Sequence, residues 1–546
     1  MRSVARRACA SLLGLRLSVG KKTASTHFQR YWEYTQPVSL SAAGGRQTAV
    51  DVIVLTMSSG GFKSQDDDQD AGATLATLRN VLLTPTHLLR IGFFCSTTII
   101  DILALSASSD SPLLVPKMAG LDVSKRNRTI NLGAGPSGLP TDVLLVAAQA
   151  ILDYEGSGMG VTEISHRSTS FKAIIDKAEA DLRALLDIPA SHAVLFQQGG
   201  GTEQFSATAL NLLAAHAVKH PEYNNSSSSS PAGGGAQGPP ADYAITGSWS
   251  SKAFTEAQRL GVRAHVAIDS RKASDAEGKF GVIPPLSEWS LSKAEDKPAF
   301  LYYCDNETVD GVEYPSPGFP IDDLPQAYRD AVPLVADCSS NILSRPINVA
   351  AHAIVFFGAQ KNVGPSGVTI IIVRRDLIVN PDDGVPNGGP RIPVTLAYKN
   401  AADNSSLYNT PPMFSIYTSG LVFADLLQNK GGVQGAAERS ARKSKLVYSA
   451  IDASQGIYKP TVRQPSARSR MNVTFRICGT DGAPSDELEA AFVTACADKN
   501  ITQVKGHRSV GGIRTSLYNA VTVEQTEVLV DVMTAFVQAE LARRQT

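Results

Sequence analysis

Seven short apolar runs punctuate the middle of the chain: "AVLF" (193–196), "YAIT" (243–246), "RAHVAI" (263–268), "FLYYC" (300–304), "LVAD" (334–337), "AIVFFG" (353–358) and "VTIIIV" (368–373). Most are apolar almost without interruption, where a strand with one wet face would alternate. Continuous apolarity marks strands covered on both faces, as in a largely parallel sheet. Helical spacing fills some of the gaps. In "EQFSATALNLLAAHAV", Phe205, Ala209, Leu212 and Leu213 fall at i, i+4, i+7 and i+8, one face of a helix. "SSKAFTEAQRLG" opens on serines suited to capping and closes at Gly261, a candidate C′ residue. Strands alternating with helices predict an α/β layered fold with a mostly parallel, seven-stranded sheet.

The pattern changes at two further places. "NNSSSSSPAGGGAQGPPAD" (224–242) is low in complexity and cannot pack a core, so it reads as a surface insertion. After about Gln428, helical runs such as "GAAERSARKSKLVYSAI" and "TEVLVDVMTAFVQAELARR" alternate with "MNVTFRIC". That is the pattern of a smaller α+β domain. The chain therefore divides into an N-terminal extension (1–126), a large domain (127–428) and a small C-terminal domain (429–546).

Composition narrows the functional classes. The 546 residues are 43% hydrophobic, enough for more than one domain. Lys and Arg balance Asp and Glu at 51 each, so no broad basic surface points to nucleic acid or anionic lipid. Six scattered cysteines contain no C-x-x-C pair, which fits neither a metal site nor a disulfide framework and suits a reducing compartment. The best membrane candidate, Ile91 to Leu105, falls short of the roughly 20 residues a span needs and contains Asp101. The first 30 residues hold seven Lys or Arg and no acid, as in a mitochondrial presequence. The other reading is a cytoplasmic protein whose globular part starts near Met118, with the Ser-, Thr- and Gly-rich residues before it an extension.

"GAGPSG" (Gly133 to Gly138) matches the dinucleotide fingerprint G-x-G-x-x-G, with Asp153 and Glu155 about 20 residues on. Its context argues against that use. Only "TINL" precedes it, Pro136 sits inside the loop and Pro140 delays the helix. Lys361 carries stronger chemistry. It stands in "GAQKNVGPSG", a tight turn between two apolar strands, flanked by small or amide residues that leave room for a ligand. Asp337 ends the preceding strand, and ligands gather beyond the carboxyl ends of parallel strands. A desolvated lysine has a lowered pKa and a nucleophilic amine. An aldehyde cofactor with a protonatable ring nitrogen would use both groups. "AVLFQQGGGTEQFSATALNLL" adds a Gly-rich loop opening a helix, where Gly201 and Thr202 could hold the phosphate of such a cofactor.

Taken in order, "ISHRS" (164–168), "FQQGGGTEQF" (196–205), "CDNETVDG" (304–311), "ADCSSNILSRPI" (336–347), "GAQKNVGPSGVT" (358–369), "YNTPP" (408–412), "SRMNV" (469–473) and "KGHRSVGGIRTSLYNA" (505–520) resemble the phosphoserine aminotransferase family. The resemblance implies a fold-type I enzyme that uses pyridoxal 5′-phosphate and works as a homodimer. Its substrates would be L-glutamate and 3-phosphohydroxypyruvate, in the transamination step of serine biosynthesis. By resemblance, Lys361 bonds the cofactor and shuttles a proton, and Asp337 pairs with the ring nitrogen. Trp249 would stack on the ring, Thr308 would hydrogen-bond it, and Gly201, Thr202 and Gln360 would hold its phosphate. Asn409 and Thr410 would reach that phosphate from the partner subunit. Arg514 matches the arginine for the substrate α-carboxylate. His507 and Arg508, with His166 and Arg167 from the partner, match the group that takes the second anionic end. Some members carry Arg where Thr202 stands and Gly where Glu203 stands, so Glu203 is expected to point away from the anion. Other fold-type I enzymes are the rival reading. A cysteine desulfurase would need a reactive Cys on a mobile loop, and none of the six sits in an evident one.

Overall fold

The computed structural model describes residues 122–221 and 238–545, with the backbone of five short strands between residues 38 and 102. The chain forms two compact units, Met1–Asp110 and Ser111–Thr546. In the first, Val38–Leu40 pairs antiparallel with Thr48–Val50. Leu55–Thr56 runs parallel to Ile91–Cys95, which pairs antiparallel with Thr98–Ile102. The presequence reading falls outside the described residues, as do residues 224–237 of the low-complexity segment; of the extension, only the five strand backbones and residues 122–126 are described.

The second unit is built on a seven-stranded sheet. Its strands are β1 (His192–Gln197), β2 (Pro240–Ile245), β3 (Arg263–Asp269), β4 (Phe300–Cys304), β5 (Leu334–Asp337), β6 (Ile354–Gly358) and β7 (Thr369–Arg374). They lie in the order β1-β7-β6-β5-β4-β2-β3. All seven apolar runs are strands. Each is buried on both faces, except at the start of β3 and the ends of β1 and β7. Only β7 is antiparallel to its neighbours. The link from β6 to β7 spans just residues 359–368, too short for the crossover a parallel strand requires. Lys361 lies in that link. Pro240–Asp242, at the end of the low-complexity segment, already belong to β2. Asp242 is buried there and accepts hydrogen bonds from Ser292 Oγ (2.6 Å) and Tyr328 OH (2.5 Å).

Alternate residues of each strand feed two cores. Val355 and Phe357 join Phe171, Leu182, Ile370 and Phe423 on one face, while Ile354 and Phe356 join Phe205, Tyr243, Tyr302 and Ile371 on the other. Among the described residues, eight helices of 12 or more residues complete the layers: α1 (Thr141–Leu152), α2 (Thr169–Leu186), α3 (Gly200–Lys219), α4 (Ser248–Arg259), α5 (Met413–Asn429), α6 (Gly432–Asp452), α7 (Asp486–Asp498) and α8 (Val523–Gln545). Phe205, Ala209 and Leu212 of α3 are buried, as their spacing predicts. Helix α4 is followed, after Leu260, by Gly261, whose φ of 78° makes it the expected left-handed C′ residue. The start of α4 differs from expectation: it begins at Ser248, and its capping comes from a distant loop.

Residues after α5 build the smaller α+β domain. An antiparallel sheet of β8 (Tyr458–Pro460), β9 (Asn472–Ile477) and β10 (Ile513–Ser516) packs on α6, α7 and α8 through Val447, Phe475, Phe492 and Met533. Ile130–Asn131 pairs with Ile501–Thr502, so the start of the described chain is tied to this domain. A two-stranded ribbon, Asn306–Glu307 against Val312–Glu313, leaves the end of β4 and joins the two domains. Asn306 Nδ2 donates to Asn472 Oδ1 (2.8 Å), Ser469 Oγ donates to Asn306 Oδ1 (2.6 Å), and Arg470 pairs with Glu313 (2.8 Å).

Candidate active site

The carboxyl ends of β4, β5 and β6 converge on one crevice, because adjacent parallel strands end side by side. Asp337 is the last residue of β5 and is 4% exposed. Its Oδ1 accepts from Ser339 N (2.9 Å) and Ser339 Oγ (2.6 Å), and Tyr302 OH reaches Oδ2 at 3.4 Å. Burial pushes the carboxyl up, against those hydrogen bonds and the Lys361 charge. No ion pair among the described residues engages Asp337, so a buried carboxylate is left facing the crevice without a cation in contact.

Lys361 reaches the same crevice from the β6–β7 link. Its Nζ donates to Thr308 Oγ1 at 2.6 Å and lies 5.7 Å from the Trp249 ring centroid. Burial pulls the amine below the ordinary lysine range and Arg514 adds to this, while Asp337, Cys304 and Glu307 pull it up. The "GAGPSG" loop is the crevice wall rather than a nucleotide loop. Ser137 N donates to Gln360 O (3.0 Å), Ser137 Oγ donates to Lys361 O, and a Cβ on Gly135 would come within 3.3 Å of Lys361 Cγ.

Trp249 is held by the start of α4. Glu307, from the ribbon, accepts from Trp249 N (2.8 Å), Ser250 N (2.9 Å) and Ser250 Oγ (2.5 Å), and Asp310 accepts from Ser248 N (2.6 Å). Two carboxylates at a helix N-terminus satisfy its free N–H groups and complement its dipole. Burial and the closeness of Asp310 push Glu307 up. Thr308, at the ribbon turn, is bonded on both sides: its hydroxyl to Lys361, and its carbonyl to Arg514 Nη1 at 3.4 Å. Arg514 comes from β10 of the small domain, and burial lowers its pKa. His507 is held below its ordinary range by burial first, then by Arg514, Lys252 and Arg508. These bases therefore share one electrostatic neighbourhood.

The Gly-rich loop adjoins this crevice. Gly199 and Gly200 both take left-handed φ (82° and 70°), which turns the chain sharply into α3. A Cβ on Gly201 would lie 3.2 Å from Ser339 Oγ, the hydroxyl bound to Asp337. The Glu203 side chain folds back onto Gly199, and Gln360 folds over Gly358. Thr202 is exposed, with no side-chain hydrogen bond described. His166 and Thr410 meet instead of joining Lys361: Thr410 Oγ1 and His166 Nδ1 are 3.3 Å apart. Arg167 and Asn409 are exposed beside them in sequence. His166 Nε2 is buried without a partner.

Sequence reasoning missed several contributors. Ser339 was legible as a hydroxyl two residues past Asp337. Lys252 gave no signal apart from its i+3 spacing from Trp249 on a helix. Glu307 and Asp310 gave no local signal, because they cap a helix some 60 positions earlier. Among the described residues, no cluster of His, Cys, Asp or Glu could hold a metal ion, and no helix is long and apolar enough to cross a membrane.

With this geometry in view, the chain matches the family described as "Aminotransferase class-V" over residues 129–222 and 254–529. It belongs to that family: fold-type I transaminases that depend on pyridoxal 5′-phosphate. Within it, similar proteins carry a more particular name. A phosphoserine aminotransferase of Drosophila melanogaster is 42% identical over 410 residues, 74% of this chain and 98% of the relative. The solved phosphoserine aminotransferase of Bacillus circulans subsp. alkalophilus is 39% identical with a TM-score of 0.63, covering 76% of this chain and 99% of that one. A pyridoxal-phosphate-bound phosphoserine aminotransferase from Trichomonas vaginalis is 34% identical with a TM-score of 0.61, covering 74% and 99%.

The residues present fit the cofactor. A buried carboxylate with no cation of its own suits a protonated ring nitrogen, and a half-buried amine stands close by. The indole Nε1 of Trp249 is buried without a partner, consistent with a polar group in the crevice. The N-terminus of α3, opened by two left-handed glycines, suits a phosphate.

Proposed function

We propose that the protein transfers the amino group of L-glutamate to 3-phosphohydroxypyruvate, releasing 2-oxoglutarate and O-phospho-L-serine, in the formation of serine. One observation carries this reading. Thr308 links the Lys361 amine to Arg514 through its hydroxyl and its carbonyl, so an α-carboxylate on Arg514 sets a substrate Cα beside that amine.

When bound, pyridoxal 5′-phosphate supplies an aldehyde that takes up the amino group and a ring that accepts the electron pair left at Cα. Lys361 Nζ would hold the cofactor, then carry the proton between the substrate Cα and the cofactor's aldehyde carbon. Its lowered pKa keeps a larger share of the amine in the basic form. Asp337 would keep the ring nitrogen protonated. Trp249 would stack on the ring, Thr308 would bond it, and Gly201, Thr202 and Gln360 would hold its phosphate. Arg514 would take the α-carboxylate through its planar fork. His507 and Arg508 would take the second anionic end, the phosphate of one substrate and the side-chain carboxylate of the other.

The protein works as a homodimer in this reading. The contact between His166 and Thr410 in one protomer supports it: residues expected to serve the partner's site lie together, and no hydrogen bond described for them reaches Lys361. Arg167 and Asn409 are their exposed neighbours in sequence. A mixed dimer of Lys361→Ala and Arg167→Ala chains should regain activity that neither variant shows alone. Failure of this complementation would rule out a shared site. We read the compartment as cytoplasmic. Cleavage of the native chain near residue 30, seen by N-terminal sequencing, would mean mitochondria instead.

The direct test uses purified holoenzyme. Its cofactor band should bleach with L-glutamate and return with 3-phosphohydroxypyruvate. Lys361→Ala should abolish transamination while retaining some cofactor. A faster response to L-alanine than to L-glutamate would overturn the substrate reading, and full activity in Lys361→Ala would overturn the chemistry.

A further inference from the structure

Lys252 stands three residues after Trp249 on α4, so the two side chains share a face of that helix. Its Nζ lies 4.2 Å from the Trp249 ring centroid, and Lys361 Nζ lies 5.7 Å from the same centroid. The indole is thus flanked by a second amine besides the one that holds the cofactor. Lys252 is exposed, and no ion pair or hydrogen bond among the described residues engages its amine. Arg508 and Arg514 also lack a carboxylate partner there. The field of Lys252 reaches His507, together with those of Arg514 and Arg508.

Three cations and an imidazole therefore act on one region, and none of the three cations has an ion-pair partner among the described residues; the nearby carboxylates of Glu307 and Asp310 are taken up in capping α4. Such an arrangement is unfavourable alone and is relieved by an anion of high charge. The cations also come from two sides. His507, Arg508 and Arg514 belong to the small domain, whereas Lys252 belongs to a helix of the large one. An ammonium is a compact point charge with three donors, suited to a phosphate oxygen that is not gripped in a planar fork. A phosphate ester carries close to two charges at pH 7, against one for a carboxylate. An added cation therefore favours the phosphorylated substrate over glutamate at a site both must use.

We propose that Lys252 is a specificity-determining residue that binds the substrate's phosphate from the large-domain side, opposite His507 and Arg508. This rests on the phosphorylated-substrate reading above.

The test compares wild-type, Lys252→Gln and Lys252→Arg holoenzymes. It measures KM for 3-phosphohydroxypyruvate and for L-glutamate, and the Kd of O-phospho-L-serine by calorimetry. Lys252→Gln should raise KM for the phosphorylated acid, and the Kd, by about tenfold. The rise should exceed that in KM for L-glutamate several-fold, and Lys252→Arg should recover most of it. If Lys252 only supports the Trp249 ring, Lys252→Gln will raise both KM values equally and shift the cofactor absorption band. That result would overturn the proposal. So would an unchanged Kd and KM ratio, while leaving the substrate reading intact. A wild-type enzyme that exchanges amino groups with L-glutamate but ignores 3-phosphohydroxypyruvate would remove both.

Discussion

At Lys361 the amine is partly withdrawn from water, and burial outweighs the attraction of Asp337. A lysine with a lowered pKa becomes nucleophilic at a lower pH than a free one. Capture of pyridoxal 5′-phosphate by the apoprotein should accelerate with rising pH through a midpoint below the ordinary lysine range. Asp337 raises the Lys361 pKa, so Asp337→Asn should move that midpoint lower still. Stopped-flow absorbance across pH reads both, and a midpoint at or above the free-lysine range would refute the assignment. These two residues were legible in the sequence because each ends or follows an apolar run, where a polar side chain must face the crevice. Lys252 was not read, because a helix-surface lysine next to serines is indistinguishable from a solvated one until Trp249 is placed beside it.

Strands and helices were legible to different degrees. All seven strands of the large sheet could be read from unbroken apolar runs, since burial on both faces removes polar alternation. The Asn306–Glu307 and Val312–Glu313 ribbon could not, because two residues per arm carry no period. The start of α4 was set too late for a related reason: the serines are secondary, and the capping carboxylates come from the ribbon. That predicts a specific weakness. Glu307→Ala leaves the N–H groups of Trp249 and Ser250 unpaired, and should destabilise the protein by about 1–3 kcal/mol in urea unfolding. Cofactor affinity should fall as well, measured by quenching of tryptophan fluorescence. An unchanged affinity would mean that Trp249 is positioned by something else.

Over the whole molecule, the ribbon sets how the domains meet. Gly311 turns it with a φ of 75°, and a Cβ there would overlap Thr474 Oγ1 of the small domain. Gly311→Ala should cost about 2–4 kcal/mol, from the left-handed backbone and the forced displacement together. KM for both substrates should rise, because Arg514 would move away from Thr308. A variant with wild-type stability and KM would refute this account. The bonds of Thr308 have a further consequence. One threonine touches Lys361 with its side chain and Arg514 with its main chain, so in the proposed reaction it would act as a ruler between the amine and the arginine that takes the carboxylate. Substrates of any outer length must present the same bond at the same height above the lysine, and variety among them is confined to the end farthest from the chemistry.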